Sequence, residues 1–174
     1  KPNSPTPSDV QVYRIAANAV DMVTTQGVNI GTNYYLGNHW VFNANYSWNK
    51  LDLQGSEDPI IPAYNTPEHK FNIGLAARDL DTYIGQIHII NWSFSVNYKW
   101  IQGFQFEGSP QFTGFVPTYD LFDAQISKAV PKLNMTFKLG ASNLFDKKSY
   151  QVYGGPYVGR MAYFSATFDL AKNN

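Results

Sequence analysis

The sequence predicts an all-β protein, a transmembrane antiparallel β-barrel with about eight strands in this chain. Three observations carry that expectation. Aromatic residues make up 16% of the 174 positions although the chain is hydrophilic on average, so they must be sorted by pattern. Segment after segment alternates apolar and polar residues, the period that sends neighbouring side chains to opposite faces of a strand. No run approaches the roughly 20 apolar residues of a spanning helix. That leaves a barrel of strands as the way to cross a bilayer with every backbone group paired.

Taken in chain order, the first strand is a weak one near Val10 to Ala17. Val28, Ile30, Tyr34 and Leu36 mark the second. From His39 to Lys50, Trp40, Phe42, Ala44, Tyr46 and Trp48 alternate with Asn43, Asn45, Ser47 and Asn49. Phe71, Ile73, Leu75 and Ala77 stand against Lys70, Asn72, Gly74 and Arg78. The run Ile87 to Trp100 sets Ile90, Trp92, Phe94, Val96, Tyr98 and Trp100 against Asn91, Ser93, Ser95, Asn97 and Lys99. Phe122, Ala124 and Ile126 oppose Asp123, Gln125 and Ser127. From Lys132 to Leu144, Leu133, Met135, Phe137, Leu139 and Ala141 alternate with Asn134, Thr136, Lys138, Gly140 and Ser142. The last strand places Ala162, Phe164, Ala166, Phe168 and Leu170 against Tyr163, Ser165, Thr167 and Asp169. Gly and Asn inside these runs argue against helix.

Alternation also fits a soluble sandwich with one wet face. Three features favour a membrane. The runs are about 9 to 13 residues long, where soluble strands have about 5 or 6. Tyr34, Trp40, Trp48, Tyr98 and Trp100 sit near strand ends, as interfacial girdles do. The polar face is mostly uncharged Asn, Ser, Thr and Gly, which suits a wet lumen.

The connections agree. Leu36 to His39 and Ala129 to Lys132 are short, and Asp79 to Gln86 is moderate, whereas 51–68, 101–118 and 146–159 are long. Threaded from a periplasmic C-terminus, every long connection falls on one side, the extracellular one. The short connection at 18–26 falls there too, and an even strand number leaves both chain ends in the periplasm.

Composition excludes several functions. Thirteen Lys and Arg balance thirteen Asp and Glu, so nothing electrostatic invites nucleic acid. With no cysteine there is no disulfide framework, thiolate nucleophile or Cys-based zinc site. The start, Lys-Pro-Asn-Ser-Pro-Thr-Pro-Ser, is neither a signal peptide nor an initiator methionine start; it reads as a linker or loop of a longer chain, or as the start that a cleaved signal leaves.

Certain stretches are more specific. Asn65-Thr66-Pro67-Glu68-His69-Lys70-Phe71-Asn72 resembles a segment late in the barrels of TonB-dependent outer-membrane receptors. Lys138-Leu139-Gly140-Ala141-Ser142-Asn143-Leu144-Phe145-Asp146-Lys147-Lys148 is similar to their penultimate strand leading into the last extracellular loop. Tyr150-Gln151-Val152-Tyr153-Gly154-Gly155-Pro156 and Gly159-Arg160 resemble the close of that loop, and the tone is that of receptors from Bacteroidetes. The resemblance, from about Val23 to Leu170, implies that residues 1–174 are the C-terminal part of a barrel of about 22 strands. It further implies an outer-membrane receptor for active uptake of a nutrient: glycan, peptide, siderophore or cobalamin. Its plug domain and its link to TonB–ExbB–ExbD would lie upstream, and a surface lipoprotein is a further partner of such receptors. One departure is that Ala171-Lys172-Asn173-Asn174 follows Phe168-Asp169-Leu170, where family barrels commonly end on an aromatic residue. The alternative is a complete eight-stranded barrel acting as porin or adhesin. Its interior should be filled by interlocking charges, and this polar face is too rich in small residues to do so.

No catalytic residue, metal or cofactor is expected. His39, His69 and His88 are scattered without ligand spacing, and read as turn or interface histidines. Gly154 to Arg160 lacks the Gly-Lys-Ser/Thr ending of a phosphate loop. Asn45-Tyr46-Ser47, Asn91-Trp92-Ser93 and Asn134-Met135-Thr136 match the glycosylation sequon inside strands, as chance matches would. Asp58, His69 and Asp79 have no recognisable catalytic spacing. Ligand contact is instead expected in the loops, at Phe104, Phe106, Phe112 and Phe115 and at Tyr150, Tyr153 and Tyr157. Packing between loops explains the same aromatics and is the favoured of the two readings. Arg78, Lys99, Asp123 and Lys138 are candidates for contact with a plug or for tuning passage through the lumen.

Overall fold

A computed structural model describes residues 22–52, 64–108 and 112–170. The strands are β1 Thr24–Leu36, β2 Trp40–Asp52, β3 His69–Ile84, β4 Ile87–Ile101, β5 Phe104–Glu107, β6 Thr113–Val116, β7 Tyr119–Val130, β8 Met135–Ser142 and β9 Met161–Phe168. Seven form one antiparallel sheet in the order β1-β2-β3-β4-β7-β8-β9, and β5 with β6 makes a separate hairpin. No pairing joins β1 to β9, so the described sheet is an open wall. The expected strand near Val10 to Ala17, and 53–63 of the connection at 51–68, lie outside the described residues.

The register shows why alternation is the dominant signal. Val28, Trp48 and His69 share one outward row, and Ile30, Tyr46, Phe71 and Trp100 the next. Two-residue steps then pass through Ala44, Ile73, Tyr98 and Phe122 to Trp40, Ala77, Phe94, Ile126, Leu139 and Phe164. On the other face Asn45 pairs with Asn72 and Asn72 with Lys99, while Asn97 pairs with Gly74 and Asp123. The eight steps from Trp40 to Trp48 rise about 27 Å, close to the roughly 25 Å apolar band of outer-membrane barrels.

Among the described residues no second layer covers the outward face: Ile30 is 64% exposed, Leu139 56% and Phe164 68%. Among the described residues the buried apolar side chains are Ala77, Val116, Tyr119 and Leu121, and the last three belong to the long-loop end. A water-soluble sandwich would bury its apolar face against a second layer. Here the apolar face is left open, as the outward face of a barrel wall is.

The structure departs from the expected elements in four places, one being the β5–β6 hairpin inside the connection at 101–118. The connection at Asp79 to Gln86 is mostly strand, because β3 and β4 stay paired to Ile84↔Ile87 around Gly85 and Gln86. Two offset bulges make this possible. Arg78 and Asp79 together face Ser93, and Asn91 is an extra residue on β4. Asp79 (φ 47°) and Asn91 (φ 57°) take the left-handed conformation that Asp and Asn tolerate best. The second bulge reverses the alternation, so Ile89 follows Trp92 outward and Ile90 pairs with Asp81 on the inward face. At the other two places, Thr24 to Gln26 extend β1, and Pro131–Leu133 forms a 3-10 turn before β8.

Gly140 illustrates how the inward face is filled. A Cβ there would run into the Tyr163 ring, which lies across it and donates from its hydroxyl to Gln125 Oε1 at 2.7 Å. Gly140→Ala should therefore destabilise the sheet by about 1 kcal/mol through loss of that bond. Urea unfolding alongside Tyr163→Phe checks it: the two losses should be similar and not add.

Candidate functional site: the clustered long connections

The three short turns, at 37–39, 85–86 and 131–134, all lie at one end of the sheet, and the described parts of the long connections lie at the other. The long ones are fastened to one another. The connection after β4 folds back as the β5–β6 hairpin, which places Val116 (0% exposed) against Tyr119 and Leu121, with Ile101, Phe104, Phe106 and Tyr150 packed around them. Asn65, at φ 49°, grips the end of β5 with two bonds. Its Nδ2 donates to the Glu107 carbonyl at 3.0 Å, and its Oδ1 accepts from the Glu107 N–H at 2.7 Å. That ties the approach to β3 to the hairpin.

The last connection, between β8 and β9, is closed by its own polar residues. Asn143 is 2% exposed at φ 51°. Its Oδ1 accepts from the Lys147 N–H at 2.9 Å, and its Nδ2 donates to the carbonyls of Lys147 (2.8 Å) and Val158 (3.4 Å). Asp146 Oδ1 accepts from the Arg160 N–H at 2.8 Å, so the two ends of the loop meet. Lys147 forms an ion pair with Asp120.

This closed loop then lies on the β5–β6 hairpin. Tyr150 donates from its hydroxyl to the Phe115 carbonyl at 3.2 Å, and its ring meets Tyr153 and Tyr157 edge-on at 6.5 and 5.7 Å. The Tyr153 ring covers Gly114, and the Phe112 ring covers Gly154, which has φ 76°. The seven aromatic candidates thus fall into two groups. Phe104, Phe106 and Tyr150 pack inward on the Val116 cluster. Phe112, Phe115, Tyr153 and Tyr157 keep faces open, at 53%, 57%, 37% and 68% exposure.

The charged candidates sit on the inward face and do not converge. Asp123 Oδ1 accepts from Ser142 Oγ at 2.9 Å and from the Asn143 N–H at 2.8 Å, so it also supports the loop clamp. It borders a pocket of 190 Å³ with Ser95, Asn97, Gln125 and Tyr163. Lys99 lies between Asn72 and Leu121, Lys138 between Ser127 and Ser165, and Arg78 in the bulge opposite Ser93. The histidines are local: His39 Nδ1 bonds the Arg78 carbonyl at 2.9 Å, Tyr46 bonds His69 at 2.6 Å, and His88 meets Asp81 at 2.6 Å. Among the described residues no three His, Cys, Asp or Glu side chains assemble as metal ligands.

Against known proteins, residues 2–144 match the family described as TonB dependent receptor-like, beta-barrel. The chain belongs to that family. Its fold is similar to the ferric-catecholate import receptor Fiu from K12 E. coli in its closed form, with a TM-score of 0.62 and 20% identity. The match covers 83% of this chain and 20% of Fiu, so the chain spans about a fifth of the receptor it matches. No curated protein sequence matches it.

Within this TonB-dependent receptor barrel, two clamp residues were not among the candidates read from the sequence. Asn65 and Asn143 stand inside the motifs that carry the family resemblance, and both are left-handed. The usable signal was an Asn where a strand meets a long connection, since Asn combines tolerance of that conformation with a donor and an acceptor.

Proposed function

We propose that this chain is the C-terminal wall and part of the extracellular vestibule of an outer-membrane active-transport receptor in a Gram-negative bacterium. The observation that carries the reading is the fastening of the long connections at one end, with aromatic faces left open on top. A vestibule held by Asn65, Asn143 and the Val116 cluster needs no ligand to shape it. Phe112, Phe115, Tyr153 and Tyr157 are therefore free to stack on a ligand with flat or apolar faces. Glycans, aromatic siderophores, peptides and cobalamin all have such faces, and the ferric-catecholate receptor of like fold makes the second class the first to try. Arg78, Lys99, Asp123 and Lys138 face the lumen, where a plug domain from an upstream region would seat. Energy would come through that region from TonB–ExbB–ExbD, and a surface lipoprotein would meet the long loops.

The chain performs no covalent chemistry on this reading. A complete eight-stranded porin or adhesin is the weaker alternative, because the inward face is lined with Asn, Ser and Gly, too small to fill a closed eight-stranded interior.

The test is binding of a ligand panel to the receptor at native length, followed by uptake of whichever member binds. Tyr157→Ala and Phe115→Ala should each weaken that ligand by about three- to tenfold, the worth of an aromatic contact. Unfolding should be unchanged, because both rings are mostly exposed. Unchanged affinity in both variants would mean that these rings only pack loop against loop.

A further inference from the structure

The β5–β6 hairpin and the last loop meet along a seam, and each lays a ring on the other. Tyr153 of the loop covers Gly114 in β6, and Phe112, just before β6, covers Gly154 of the loop. The Tyr150 hydroxyl, donating to the Phe115 carbonyl at 3.2 Å, is a third fastener.

Both ring contacts need a bare backbone. A Cβ on Gly114 would run into the Tyr153 ring, and one on Gly154 would lie 2.5 Å from Phe112 Cδ1. Cβ atoms essentially never come that close to a neighbour, so a methyl group on either glycine forces the ring off it. Gly154 carries a second demand, because glycine adopts its φ of 76° freely and other residues rarely do. Gly114 pairs with Phe106 across the hairpin, two residues from Val116, so Tyr153 lies on the side where loop and hairpin already pack.

Each side of the seam is fastened elsewhere: Asn65 grips the end of β5, and Asn143 closes the last loop. A single contact between the two would leave a pivot. Two ring contacts and a hydrogen bond fix separation and rotation together. We infer that Gly114 and Gly154 are positioning residues of the vestibule, the two halves of a reciprocal latch that makes the hairpin and the last loop one body. The latch sets the spacing between the open faces of Phe115 on the hairpin and Tyr157 on the loop. It rests on the reading above, in which those faces meet a ligand. A ligand that touches both spans the seam, and a joint fixed beforehand spares binding the cost of ordering it.

The test measures the joint in the receptor at native length, free of other cysteines and reconstituted in lipid nanodiscs. Spin labels on Gln105→Cys and Gln151→Cys, exposed sites on the hairpin and the loop, report their separation by double electron–electron resonance. The intact latch should give one narrow distance distribution. Gly114→Ala and Tyr153→Leu should each broaden it about twofold, with melting of the barrel unchanged. Tyr153→Phe keeps the ring and should stay narrow. Gly154→Asn tolerates the left-handed backbone but brings a Cβ, so it should broaden the distribution as well. A broad distribution with the latch intact, or a narrow one in Gly114→Ala and Tyr153→Leu, overturns the latch. A narrow one in Gly154→Asn overturns its Phe112 half, since φ would then be all that Gly154 supplies. Lower melting at unchanged width would make both glycines structural only. Unchanged widths leave the vestibule reading standing, whereas unchanged ligand affinity in Phe115→Ala and Tyr157→Ala removes that reading and leaves the latch.

Discussion

An arginine in place of Ile73 is expected to destabilise the inserted barrel by about 2–4 kcal/mol, the penalty for that side chain at the midplane of an outer-membrane sheet. Ile73 pairs with Ala44 and Tyr98 on the outward face and is 43% exposed. In register it lies midway between the rows of Trp48↔His69 and Trp40↔Ala77. A guanidinium there is as far from either interface as the wall allows, and must drag water in or bend along the sheet. The control is Asn97→Arg, on the opposite face between Gly74 and Asp123. In a wet lumen, beside a carboxylate, its effect should stay within about 0.5 kcal/mol. Urea unfolding of the receptor in lipid vesicles, followed by tryptophan fluorescence, measures both. Equal penalties would contradict the two-faced membrane wall, and the reverse order would mean that the Ile73 face meets water.

That contrast between faces was legible in the sequence because strand period is a local property. Trp40, Phe42, Ala44, Tyr46 and Trp48 fall on one side whatever sheet they join. The bulges were not legible in the same way. Asp79 and Asn91 can adopt left-handed backbone, but so can the many Asn residues that stay in regular strand, such as Asn43 and Asn97. Which of them yields depends on the register between two strands, and a one-residue slip there moved Ile90 to the other face. The loop aromatics show a second limit. Phe104 pairs with Val116 and Phe106 with Gly114 across a hairpin, and this decides that they pack inward while Phe112 and Phe115 keep open faces. No local feature distinguishes the four phenylalanines. Their spacing flagged the region, and only the folded hairpin sorts them.

The second large effect is expected at Asn143. Asn143→Ala should destabilise the barrel by about 2–4 kcal/mol and open the loop at 144–160 to protease. Two contributions add. The side chain satisfies both backbone groups of Lys147 and reaches the Val158 carbonyl in a site that is 2% exposed, and its loss strands groups that water reaches poorly. Alanine must also hold φ near 51°, which costs about 1–2 kcal/mol for a residue without a short polar side chain. Variants at the same site separate the two. Asn143→Gly should remove the backbone penalty and retain the hydrogen-bond loss, so it should be milder than alanine. Asn143→Asp keeps the acceptor for the Lys147 N–H and loses the donor, so roughly half of the bond loss should remain. Melting of the reconstituted receptor ranks the three. If glycine proves as damaging as alanine, the clamp lies wholly in the side-chain bonds and the left-handed backbone contributes nothing. If alanine is harmless, Asp146 and Arg160 close the last loop unaided, and the platform formed by Tyr150, Tyr153 and Tyr157 does not depend on Asn143.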